Sequence, residues 1–153
     1  MKALAILLGC MLTFSAYAAP ATVYEKSAKM PLDQAYTKVE HSLKTHKFKV
    51  VFQVPISKNI SRFAKKWGAN YNRNKLQGIR SMVFCNGWFA NEVSNKDPAM
   101  LAVCPMHLTM YEKDGVTTVL FVRPSVVGAG TAAEPVLKKL EAKVTAAIDA
   151  GLK

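Results

Sequence analysis

A chain of 153 residues, half of them hydrophobic, is one domain's worth of sequence and can bury a core of its own without a metal staple. Its charge is lopsided, 21 Lys and Arg against 10 Asp and Glu, for a formal net charge of +11. That balance disfavours cationic partners and favours anionic ones, but it sets encounter rates and solubility rather than naming a ligand.

The chain opens on a targeting pattern. Met1-Lys2 supplies a positive start, Ala3 to Phe14 an apolar run, and Ala16-Tyr17-Ala18 a small-x-small cleavage site, so residues 1–18 read as a cleaved signal peptide. The apolar run falls short of the roughly 20 residues a membrane span needs, so no transmembrane segment is expected once the leader is removed. Leu7-Leu8-Gly9-Cys10 resembles a lipidation box, but only six apolar residues precede Cys10 and the sequence stays apolar after it. The expectation is export to the periplasm, with a mature chain starting at Ala19 or Pro20. Loss of Lys2 leaves 20 basic against 10 acidic residues, a mature charge of about +10. The partners this suits are an anionic protein, a lipid headgroup or a small ligand; nucleic acid is not expected at such an address.

Residues 19–30 read as an exposed lead-in, and residues 31–153 as a single domain. Leu32, Ala35, Tyr36, Val39 and Leu43 recur at helical spacing, with Pro31 suited to a first helical position. Phe48 to Val54 is β-branched and aromatic and stops at Pro55, which predicts a strand. Ile56, Ile60, Phe63 and Trp67 then lie on one face of a predicted helix over 57–67, with Lys58, Arg62, Lys65 and Lys66 opposite and Ser57 as its N-cap. A polar loop adds Arg73 and Lys75. A strand is predicted over 79–85, a short helix over 87–95, a turn at Asp97-Pro98 and a further helical piece over 99–103.

Two more strands flank Lys113-Asp114-Gly115, whose Asp and Gly tolerate the positive φ of a tight hairpin. Residues 125–133 read as a flexible loop. The last helix carries Val136, Leu137, Leu140, Val144, Ala147 and Ile148 on one stripe, with Thr131 and Glu134 spaced as a capping box. Helices on one face of a mainly antiparallel sheet would bury these stripes, which makes the expected fold a two-layer α+β sandwich.

In this order of elements the chain resembles the domain-of-unknown-function family number 302. Met82-Val83-Phe84-Cys85-Asn86 resembles the family's Phe-Cys-Asn strand end. Pro105 to Glu112 followed by Lys113-Asp114-Gly115 resembles its proline, strand and glycine turn. The helix Leu32 to Leu43 running into Lys47-Phe48-Lys49-Val50 resembles its opening helix and first strand. The likeness runs from about Pro31 to Gly151. It implies a compact α+β domain that often self-associates, hence a homodimer among the expected partners, and it implies no activity. Many members carry Cys and Arg directly after the proline; here Met106 and His107 stand there and the cysteine precedes it as Cys104, so no catalytic residue carries over.

Chemistry-bearing residues are few. With Cys10 lost in the leader, Cys85 and Cys104 are an even pair in an oxidising compartment, and a bridge between them would stabilise by about 3 kcal/mol. Cys104, Met106 and His107 suggest an alternative, a redox or metal-handling protein for copper or haem. Strand alternation turns Met106 and His107 to opposite faces, and no Cys-x-x-Cys-His occurs for covalent haem. His41 and His46 lie about 140° apart around one helix and make no pair. Arg123 with Gly128, Gly130 and Thr131, between a strand and a helix, could form a small anion pocket. The main expectation is a non-catalytic binding module for an anionic partner, using Lys58, Arg62, Lys65, Lys66, Arg73 and Lys75, with Arg80 as an extension.

Overall fold

The computed structural model describes residues 22–153, so the expected signal peptide lies outside the described residues. Five strands form one antiparallel sheet: β1 Val23–Ala28, β2 Lys49–Val54, β3 Gly78–Cys85, β4 Met106–Lys113 and β5 Val116–Val122. Their spatial order is β1-β5-β4-β3-β2. The helices are α1 Leu32–Thr45, α2 Ile56–Ser61, α3 Ala64–Trp67, α4 Gly87–Lys96, α5 Pro124–Val127 and α6 Glu134–Gly151, with 3-10 turns at Gly68–Asn70 and Pro98–Val103. This is the expected two-layer α+β architecture.

Strand alternation supplies the inner face of the sheet. Met82 and Phe84 of β3, Leu108 and Met110 of β4, and Val119 and Phe121 of β5 meet Ala35, Tyr36, Val39 and Leu43 of α1 and Leu137, Leu140, Val144 and Ile148 of α6. Each large side chain buried here is worth about 1.5–3 kcal/mol. Phe48, just before β2, meets Phe84 edge-on at 5.7 Å and stacks over Phe89 of α4 at 6.5 Å. Gly151 brings the end of α6 against the backbone of α1, where a Cβ would lie 2.7 Å from Val39 Cα. The opposite sheet face carries Phe52, Val83, His107, Thr109, Leu120 and Val122, of which Phe52, His107 and Val122 are exposed.

The hairpin forms where it was expected, with positive φ at both Asp114 (52°) and Gly115 (74°). Several expectations need correction. Residues 125–133 are not a free loop: the segment begins in α5, and Ser125, Gly128 and Ala133 are buried. The lead-in contains β1, which pairs with β5 from Val23 opposite Val122 to Ala28 opposite Thr117. Pro31 sits at the N-cap rather than inside α1; the first free amide, Leu32 N–H, donates to Glu112 Oε2 at 2.8 Å, a cap supplied from β4. The capping box of α6 is absent. Thr131 Oγ1 donates to Gly128 O at 2.7 Å, and the Glu134 carboxylate reaches past Thr131 to accept from Gly130 N–H at 2.7 Å.

Candidate functional site

The predicted helix over 57–67 is two short helices broken at Phe63, and its apolar face is only partly covered: Ile56 and Ile60 are half-buried, Phe63 and Trp67 exposed. Neither α2 nor α3 contributes a buried side chain. Ser57 is not a cap; its hydroxyl instead accepts from Ile79 N–H at 2.5 Å, pinning the start of α2 to β3. The excursion closes at its far end through Asn72, whose side-chain amide exchanges two 2.9 Å hydrogen bonds with the Leu76 backbone, and through Gln77 N–H, which donates to Glu112 O at 2.9 Å. Gly68 turns the chain after α3 with a φ of +51°. Between Phe48 and Ser81 no residue is fully buried. The segment is held by these hydrogen bonds and by half-buried Ile56, Ile60 and Leu76 rather than by fully buried side chains.

Its side chains are of two kinds. Lys58, Arg62, Lys65, Lys66, Arg73 and Lys75 are all exposed, and among the described residues none of the six pairs with a carboxylate. Arg62 and Arg73 donate to the neighbouring amides of Asn59 and Asn70. The sequence explains the missing partners, because no Asp or Glu occurs between Glu40 and Glu92. The second kind is aromatic. Phe63 and Trp67 stack at 5.1 Å with 20° between their planes while remaining 47% and 40% exposed. Phe52, on the edge strand that feeds α2, is 63% exposed, beside a bulge at Val51.

Arg80 does not extend this surface. Its side chain turns to the inner side, stacks over Tyr36 with Cζ 3.7 Å from the ring centroid, and pairs with Asp33 at 2.7 Å. Asp33, Lys58, Arg80 and Glu112 line a cleft of about 320 Å³ at the base of α2, but Asp33 and Glu112 are already engaged there by Arg80 and the Leu32 amide.

The other expected sites fare differently. The small anion pocket is filled by the protein's own groups. Arg123 Nε donates to Glu141 Oε1 at 2.8 Å, and the Ser125 amide and hydroxyl both donate to Glu141 Oε2. Burial alone would raise the Glu141 pKa, but the hydrogen bonds from Ser125 and Arg123 and the charge of Arg123 outweigh it and hold the carboxyl below its ordinary range. Leu137 occupies the space beside Gly128, where a Cβ would come within 2.2 Å of it, and Gly130 serves Glu134. Met106 is buried in the core while His107 is exposed on the opposite face. Among the described residues no cluster of three His, Cys, Asp or Glu is placed to hold a metal.

Cys85 and Cys104 are free, half-buried thiols at the ends of adjoining segments, Cys85 closing β3 and Cys104 two residues before β4. Burial, and then the charge of Cys85, raise the Cys104 pKa above its ordinary value. No helix among the described residues is long and apolar enough to cross a membrane.

A five-stranded antiparallel sheet backed by α1 and α6, with a basic, aromatic excursion at one edge, defines the class as a two-layer α+β domain. The sequence model described as Domain of unknown function DUF302 matches residues 24–151, and the chain belongs to that family. The crystal structure of an uncharacterized conserved DUF302 protein from Bacillus stearothermophilus is similar in fold, with a TM-score of 0.73 over 86% of this chain and 98% of that one, at 18% identity. No curated protein matches the chain.

Proposed function

We propose that this is an exported, non-catalytic binding module that engages an anionic partner through the α2–α3 excursion and the loop after it. One observation carries the reading: six exposed cations share a segment that contains no acidic residue and contributes nothing to the core. Cations with carboxylate neighbours are already neutralised; these are available to an incoming anion. The segment's packing against β3, through half-buried Ile56 and Ile60, does not involve these six exposed cations.

Retention on a dextran sulfate resin tests this. Changing Lys58, Arg62, Lys65 and Lys66 together to Glu should abolish salt-dependent retention. A control in which exposed Lys96, Lys113, Lys139 and Lys153 become Glu has the same net charge and should stay bound. If the two quadruple variants elute together, the surface is no site and only net charge acts.

A further inference from the structure

We propose that the anionic partner is the headgroup surface of a lipid bilayer, on which the excursion docks with Phe63 and Trp67 inserted between the headgroups; this inference rests on the binding function proposed above. Cations alone would suit any polyanion. The aromatic pair asks for more, because two stacked rings held about half in water gain free energy when an apolar medium covers them, and the headgroup–acyl boundary offers that medium beside the charges the cations need. Lys65 and Lys66 lie on the same short helix as Trp67, and Arg62 immediately precedes Phe63. Cations therefore flank the aromatic pair along the chain, within one or two residues of each ring.

Charge complementarity selects the kind of bilayer. An anionic leaflet carries a negative surface potential, and each Lys or Arg brought to it strengthens binding by about fivefold. With no Asp or Glu between Glu40 and Glu92, the segment presents nothing to repel the headgroups. Phe52, exposed on β2, which runs into α2 through Pro55, is a further apolar side chain available at this edge of the sheet. The docking is interfacial and reversible, since the described helices include none able to span.

The test is co-sedimentation with vesicles of phosphatidylcholine alone and of phosphatidylcholine with phosphatidylglycerol. It is accompanied by Trp emission in a Trp88→Phe background, where Trp67 is the sole reporter among the described residues. The protein should bind the anionic vesicles and not the neutral ones, with Trp67 emission shifting to the blue. The charge-reversed quadruple variant should lose binding by about several hundredfold. The double variant Phe63→Ala/Trp67→Ala should bind vesicles about tenfold more weakly while keeping its retention on dextran sulfate. Vesicle binding unchanged in that double variant would reduce the contact to adsorption of charge and overturn the docking mode. Binding to dextran sulfate without binding to anionic vesicles would overturn the bilayer and leave a soluble or protein polyanion. Binding to neither would overturn this inference and the proposed function together.

Discussion

Tyr24 Oη donates to Asp149 Oδ1 at 2.5 Å, fastening the first strand to the last helix. Lys26 reaches the same carboxylate at 3.5 Å. Burial, and then the hydrogen bond and charge of Asp149, push the Tyr24 phenol well above its ordinary pKa. A raised folded-state pKa means this contribution is complete below the unfolded phenol value, near pH 10, and drains away as pH climbs toward the folded value. Tyr24→Phe should cost about 1 kcal/mol in urea unfolding at neutral pH and flatten the alkaline loss of stability. A variant as stable as the parent at pH 7 would show the bond to be without net value.

Glu141 gives the opposite sign. Its carboxyl is held low in the folded protein, so its contribution is complete above the unfolded value, about 4.3, and is lost as pH falls through the folded one. Glu141→Gln should destabilise by about 2–3 kcal/mol at pH 7, because Arg123 and Ser125 lose a charged acceptor in a buried setting. The deficit should shrink toward pH 3. A constant difference between parent and variant across that range would assign the loss to packing instead.

Gly151→Ala sets helix propensity against space. Alanine is the better helix former by up to about 1 kcal/mol, yet its Cβ would sit 2.7 Å from Val39 Cα, a backbone atom that cannot swing aside. A net loss of about 1–3 kcal/mol is expected. Gly87→Ala, where a Cβ meets nothing within 4 Å, should move stability by less than about 0.5 kcal/mol. Thermal unfolding of both variants separates the two effects.

Exposure to an oxidant should join Cys85 to Cys104. Alkylation would then label neither thiol until reduction, and the bridged form should be more stable by about 3 kcal/mol. Cys85→Ser should remove that gain. If both thiols still react with the alkylating reagent after oxidation, the pair is structural packing and not a bridge.

Where periodicity or turn chemistry was strong, the fold could be read in advance. The α1 stripe, the β3 run and the β4–β5 hairpin all carry their own instructions. β1 does not: of Val23-Tyr24-Glu25-Lys26-Ser27-Ala28, only Tyr24 and Ala28 pack toward the core, and pairing with β5 rather than local propensity makes it a strand. The 57–67 helix broke for a related reason. Short helices are marginal unless a packed face supports them, and nothing covers Ile56, Ile60, Phe63 and Trp67 fully. Its cations were visible as letters, whereas the exposure of its aromatics depends on what fails to pack there. The one early signal, the long gap without acidic residues, is negative and easily passed over. Arg80 was misplaced by strand parity, which turns it toward Tyr36 and Asp33. Glu141 could not be foreseen, since Arg123 meets it only once α5 has folded the chain back on α6.

The pairing of β1 with β5 also governs when this protein can become itself. Val23 waits for Val122, so the strand made first finds its place only after almost the whole chain is available. α6, which seals the core and holds Tyr24, comes later still. Built from its N-terminus, the chain lacks a partner for β1 until β5 is made and lacks the helix that covers the core until α6 follows. Completion is then a single late event, and loss of the last helix should leave the first strand without its anchor.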